Sequence, residues 1–287
     1  MTISLDVTDP FALDRCEVGT LHLVRRVPGY DTEAVVPGDA WTPLTFEQLN
    51  ELHPGTDTPA GALIELITFP DAPGYDAEPE TIAAYRPRPE AGAHRLLAFT
   101  DSPADQLTTT VDHSTGNHLG LHLDNFDQQP TRTREHSRRR LAINLGPGHR
   151  YLILATATIQ DIADELRPFP RFPHTNDVRR YLSEGGVLRC IRVRMDPGDG
   201  YIAPTELIPH DGSTRGATQP SRIAFWLGHW PNRDGTLEAP GHTRMENGHG
   251  QLRGRAACSS DPRGRSPQAI AAHGLGVLRN REPGVDR

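Results

Sequence analysis

The spacing of apolar positions changes character near residue 105. Before it, short helical stretches flank a strand. TFEQLNELHPG (45–55) has Thr45 as a cap, apolar residues at helical spacing and Pro54-Gly55 as a stop. EPETIAAYRP (78–87) reads as a second short helix, and GALIELITFP (61–70) as a strand ended by proline. Beyond 105, LTTTVDH, NHLGLHLDNF, RRLAINL and RYLILATATI carry β-branched residues with turn residues between them, the signature of strands. Gly146-Pro147-Gly148 separates the last two as a hairpin turn. Helices are expected over 158–169 and 176–186, the second with Asn176 as cap and glycine at its end. Strands resume over 187–195, 200–210 and 222–230, with DPGDG (196–200) as a turn.

The chain has no internal repeat and no βαβαβ alternation. Many short strands with Gly/Pro turns, and helices gathered mostly outside them, predict a mainly β fold with flanking helices, a double-sheet jelly roll (double-stranded β-helix). Three regions follow: 1–104, helices and strands packing on the core; 105–240, the jelly-roll core; and 241–287, a tail. Residues 1–240 hold 22 arginines against 33 acids, whereas 241–287 hold 8 against 4 and no aromatic residue. A segment so rich in Gly, Arg, Pro and Ser buries too little apolar area to offset its ordering entropy, so the tail is expected to be disordered.

Composition narrows the chemistry. All thirty basic residues are arginine, and the chain contains no lysine. That excludes a lysine Schiff base and a Walker A or kinase-type phosphate lysine, and it leaves carboxylate or phosphate capture by guanidinium forks. A net charge of −7 argues against a nucleic-acid partner. No apolar run approaches the ~20 residues of a membrane span, and MTISLDVTDP lacks a signal-peptide pattern. Cys16, Cys190 and Cys258 are few and far apart, with no paired spacing that suggests zinc or a disulfide framework, so a reducing, cytoplasmic setting is expected.

Fourteen histidines are many for 287 residues, and His122-Leu123-Asp124 is the chain's one His-x-acid pair. On a strand, residues two apart share a face, so the imidazole and carboxylate can converge on one metal. A distant second histidine would complete a facial triad. His210 closes a strand signal about 86 positions beyond Asp124, and Arg222 opens the next strand twelve residues later.

This order of His-x-Asp, distant histidine and arginine, over roughly 105–235, resembles the iron- and 2-oxoglutarate-dependent dioxygenases. The resemblance implies a double-stranded β-helix with Fe(II) held by His122, Asp124 and His210. Arg222 would pair with the far carboxylate of 2-oxoglutarate, with Arg215 as the alternative anchor, and O2 would be the oxidant. Asp124 favours hydroxylation over halogenation, because halogenases of the family have a small residue in its place. A compact core among arginines fits a small carboxylate-bearing substrate, such as an amino acid or a natural-product intermediate in specialised metabolism.

Trp226 and Trp230, with Phe225, are candidates for a substrate-pocket wall, and Asn144 and Tyr151 for polar contacts. The HSRRR run (136–140), preceded by Arg132 and Arg134, is a candidate lid that draws in an anion. Two rivals remain open. One is a cupin-type enzyme without 2-oxoglutarate, using His113 or His118 as a third nitrogen ligand. The other is a non-catalytic jelly-roll binding protein. A zinc-protease helix is excluded by Gly120 and the missing glutamate.

Overall fold

The structure is a computed structural model that describes residues 3–6, 14–55, 58–88 and 94–230. The expected tail, 241–287, lies outside these residues. The described chain is mainly β and forms two sheets, with strands numbered in chain order. The first sheet runs β1 (Ser4–Asp6), β5 (Leu63–Thr68), β11 (Asp199–Ala203), β8 (Arg139–Pro147), β13 (Ser221–Gly228) and β6 (His94–Ser102). The second runs β12 (His210–Ser213), β9 (Arg150–Ala155), β10 (Arg189–Met195), β2 (Cys16–Val24), β3 (Tyr30–Pro37) and β7 (His118–Gly120), with β4 (Thr42–Pro43) also on β2. Pairing is antiparallel except for β1 on β5 and β3 on β7. Residues before 105 therefore complete both sheets instead of covering a finished core. Among the described residues, no helix is long and apolar enough to cross a membrane.

Alternation along the strands sorts side chains into two cores. Ala142 of β8, Tyr201 of β11, and Ile223 and Phe225 of β13 join Leu152, Leu154 and Ile191 of the second sheet in the larger one. Leu141, Ile143 and Leu145 of β8, with Ala224 and Trp226 of β13, face the other way. There they pack with Phe69, Trp230 and Ile82, the last from α2 (Pro79–Ala84). Both faces of β8 and β13 are thus buried. Full burial of each of these aliphatic side chains is worth about 1.5–3 kcal/mol, so both cores contribute to stability.

Of the expected helices, α1 (Phe46–Leu52) has Thr45 in a capping box with Gln48. α3 (Ile159–Glu165) is capped in the same way by Thr158 and Asp161. α4 (Thr175–Ser183) begins earlier than its sequence suggests. His174, not Asn176, is the cap residue, because the Asp177 carboxylate accepts from the His174 amide at 2.9 Å.

Three expected strands are shorter than the pattern implies. LTTTVDH is a loop touching β7 through a single bridge, Val111 to His118. Its threonines serve other groups: Thr110 donates from its amide and its hydroxyl to the buried Asp211 carboxylate, at 3.2 and 2.7 Å. The segment 200–210 breaks after Ala203, turns at Pro204 and resumes at His210. NHLGLHLDNF is a strand only over β7, where Gly120 takes a φ of +68°.

Gly120 is required there on two counts: its backbone is left-handed, and an added Cβ would lie 2.2 Å from the Val35 carbonyl oxygen. Gly120→Ala is expected to lower unfolding free energy by about 2–4 kcal/mol in urea denaturation. Gly74→Ala, where nothing lies within 4 Å, is expected to change it by less than about 0.5 kcal/mol. Equal effects from the two would show that the close approach at Gly120 does not constrain the fold.

Candidate metal centre

Beyond Gly120 the chain leaves β7 and runs beside β12. His122 and His210 face each other across an antiparallel bridge, with N–O distances of 3.0 and 2.9 Å. The next inward residue, Asp124, donates its amide to the Thr205 carbonyl at 3.1 Å. These bonds bring the three side chains together, with one ligand atom from each lying within 4.8 Å of the others. The His122 Nε2 is 3.9 Å from Asp124 Oδ1, and the His210 Nε2 is 3.8 Å from Asp124 Oδ2. The group is buried: His210 is fully enclosed and Asp124 is 9% exposed.

Each imidazole is oriented by its own backbone. The Nδ1 of His122 lies 3.1 Å from the Gly120 carbonyl, and that of His210 lies 3.0 Å from the Ile208 carbonyl. A carbonyl only accepts, so each Nδ1 carries a proton and each Nε2 is the ring nitrogen turned to Asp124. Burial, with Arg140 and His122 adding to it, holds the His210 pKa well below its ordinary value, so that ring is neutral at pH 7. The His210 Nε2 has no hydrogen-bond partner. Two imidazole Nε2 atoms and a carboxylate converging on one point are the chemistry a divalent transition metal takes, and the three residues fit such an ion.

Behind the triad, Arg134 clamps both of its approaches. This arginine is 1% exposed. It donates to the Asp124 carbonyl (3.2 Å), the Glu206 carbonyl (3.3 Å) and carboxylate (3.4 Å), Asn125 Oδ1 (2.8 Å) and the Pro173 carbonyl (2.9 Å). Burial pushes the Glu206 carboxyl up to about 6, partly countered by its bonds to the Asp127 amide and to Arg134.

In front of the triad lies a cavity of about 200 Å³, lined by His122, Asp124, Arg140 and Arg150, with apolar walls that include Leu152 and Phe225. Arg140 places Nη1 3.0 Å from Asp124 Oδ2 and lies over the Phe225 ring. Among the described residues, Arg150 has no carboxylate within ion-pair distance. It donates to Ser221 Oγ at 3.1 Å and Thr109 Oγ1 at 3.2 Å, and its Nε has no partner. Burial lowers its pKa to about 10, with Tyr201 and the buried Asp211 opposing the shift and Arg140 adding a smaller push, so it stays charged at neutral pH. Gly212 makes room for it, since an added Cβ would lie 2.6 Å from its Nη2.

The structure thus unites His122, Asp124 and His210, but it places the other sequence candidates elsewhere. Arg222 faces away from the cavity: it forks onto Asp101 at 2.8 and 3.0 Å and donates to the Tyr75 carbonyl. Arg215 pairs with the exposed Asp105 at 3.4 Å. Trp226 and Trp230 belong to the outer core under α2, and Trp230 donates to the Arg139 carbonyl. The cause is strand alternation. Ile223 and Phe225 point inward, so Arg222 and Trp226 point out.

The arginine run forms no lid. Arg138 holds Asp127, Arg139 holds Glu65 and Arg140 holds Asp124. Asn144 secures the β8–β9 turn through the Gly148 carbonyl and the Gly146 amide, whereas Tyr151 does line the cavity. His118 stacks on Tyr30, and neither it nor the cavity-lining His113 belongs to the ligand group. Sequence reasoning overlooked Arg150, although it shares strand parity with the buried Leu152 and Leu154.

Comparison with known proteins adds no family: no family model, curated protein or solved structure matches the chain.

The Arg134 clamp has a measurable consequence. Arg134→Met strands the Glu206 carboxylate in the interior and is expected to cost about 3–5 kcal/mol of stability in urea denaturation. A loss under about 1 kcal/mol would show that the clamp does not hold the two approaches together.

Proposed function

We propose that the protein is a non-heme Fe(II) oxygenase that uses 2-oxoglutarate and O2 to hydroxylate an unactivated C–H bond of a small carboxylate-bearing molecule. The observation that carries the reading is the buried His122–Asp124–His210 group, with both Nε2 atoms turned to one carboxylate. Three protein ligands on one side of an octahedral ion leave three positions for cosubstrate and oxygen. The order of elements supports the same reading. Two sheets with His-x-Asp between β7 and β8 and the second histidine opening the late strand β12 are compatible with a double-stranded β-helix of this class.

Arg150, with the hydroxyls of Ser221 and Thr109, replaces Arg222 as the anchor for the far carboxylate of 2-oxoglutarate. A guanidinium flanked by hydroxyl groups offers several donors to one carboxylate. The carboxylate would also supply a directly paired counter-charge to Arg150, which bonds two hydroxyls and feels the buried Asp211 only from beyond ion-pair distance. Bound iron with 2-oxoglutarate and O2 supplies the oxidant for removing hydrogen from carbon, with succinate and CO2 as by-products. The protein's part is to fix the three ligands, hold the dianion by Arg150, and keep water away with Leu152, Ile223 and Phe225. Among the described residues, no third histidine joins the ligand group, which the cupin alternative requires.

The test is anaerobic addition of Fe(II) and then 2-oxoglutarate, following the weak visible band formed when a 2-oxo acid chelates iron. A saturable band that disappears in Asp124→Ala is the expected outcome. Fe(II) binding without a band would turn the reading toward a cupin-type enzyme, and no metal binding would leave a binding protein. Arg150→Ala is expected to weaken 2-oxoglutarate binding at least about tenfold with Fe(II) binding retained, as for a lost charged hydrogen bond. Arg222→Ala is expected to leave it unchanged. The reverse pattern would restore Arg222 as the anchor.

A further inference from the structure

Arg140 serves neither as a ligand nor as the proposed carboxylate anchor, yet it is 5% exposed and lies against the ligand group. Its Nη1 is 3.0 Å from Asp124 Oδ2, the oxygen that also lies 3.8 Å from the His210 Nε2. Its Nη2 donates to the Tyr201 hydroxyl at 3.1 Å, and its Nε has no partner. A divalent ion held by His122, Asp124 and His210 would therefore share a carboxylate with a guanidinium, in a buried space where charges are weakly screened.

The wider cavity reinforces the conflict. Its described charged side chains are Asp101, Asp124, Arg140 and Arg150, and Asp101 is already forked by Arg222. Asp124 in the cavity and the fully buried Asp211, which is not among its lining residues, are thus the carboxylates that act on the two guanidiniums, and a lone divalent ion adds two more positive charges. A small dianion relieves all three cations at once.

We infer that Arg140 couples metal binding to anion binding: it competes with a lone divalent cation for Asp124, and the competition ends when a small chelating dianion enters the cavity. The inference rests on the metal reading above and adds that the metal and the anion enter as a charge-matched set. Arg140 acts through Asp124 and is a positioning residue in this scheme.

The experiment measures the Kd of Mn(II), from the electron paramagnetic resonance signal of free Mn(II), with and without saturating 2-oxoglutarate. Arg140→Gln should bind Mn(II) alone at least about fivefold tighter than the unaltered protein, because a nearby like charge is gone. The tightening that 2-oxoglutarate produces should shrink by a similar factor. Arg140→Lys, which keeps the charge, should behave like the unaltered protein.

Arg150→Gln provides a second arm, since it removes a cation from the same cavity without touching Asp124. It too should bind Mn(II) alone more tightly. If either Gln variant binds Mn(II) alone no more tightly than the unaltered protein, the coupling is wrong; weaker binding by Arg140→Gln, rescued by Lys, would make Arg140 a simple support for Asp124. If the unaltered protein itself binds no Mn(II), the metal reading fails and this inference falls with it. Thermal melts of each variant separate these outcomes from loss of fold.

Discussion

Two backbone hydrogen bonds between His122 and His210 hold the site together. The residues lie far apart in sequence, and they meet because the chain leaves β7 at Gly120 and runs beside β12. Once the bridge forms, several features follow without further specification. Both imidazoles stand on the same side of the pair, with ring centroids 4.6 Å apart. Each ring donates its Nδ1 proton to the carbonyl two residues earlier, so each Nε2 is the nitrogen that faces Asp124. Alternation then places Asp124 beside them. The left-handed turn at Gly120 and the Arg134 clamp are the local conditions that let this short, irregular segment hold a fixed geometry.

The elements were largely legible in the sequence, but the direction of their side chains was not. Thr45, Thr158 and the Gly146-Pro147-Gly148 turn announce their structures through local chemistry that survives into the fold. His122 and Asp124 could be placed together because a two-residue spacing needs only an extended backbone. Which face of β13 lies inward is a different kind of question. Phase is read from a contrast between an apolar and a polar face, and β8 and β13 are buried on both. With Tyr85 and Ile82 covering the outer face, aromatic residues are as comfortable there as in the cavity. Trp226 thus carried no information about direction, and Arg222 inherited the wrong phase along with it.

The same limit explains why Arg150 was missed. RYLILA reads as a buried strand, and an arginine at its start looks like a boundary residue. In the fold it is in phase with Leu152 and Leu154, 2% exposed, and opposite a glycine that leaves room for its guanidinium. A usable signal did exist, because a charge in phase with buried leucines requires a partner that the strand itself does not supply.

Charge partners distinguish Arg150 from the other buried arginines. Arg134, Arg139 and Arg140 each have a carboxylate at 2.7–3.4 Å, and such pairs fix position more than they add stability. Arginine suits this use because it stays ionised and forks onto planar acceptors, which fits a chain without lysine. Among the described residues, Arg150 bonds two hydroxyls, and the buried Asp211 acts on it from beyond ion-pair distance. Burying a cation against neutral dipoles is unfavourable relative to pairing it with an anion, so part of its desolvation cost stays uncompensated in the folded protein. An anion that enters the cavity recovers that energy as binding free energy, whereas replacing the residue by a neutral one removes both the cost and the affinity. Under the proposed function, the cavity would give up some fold stability for selectivity toward a ligand carrying a carboxylate.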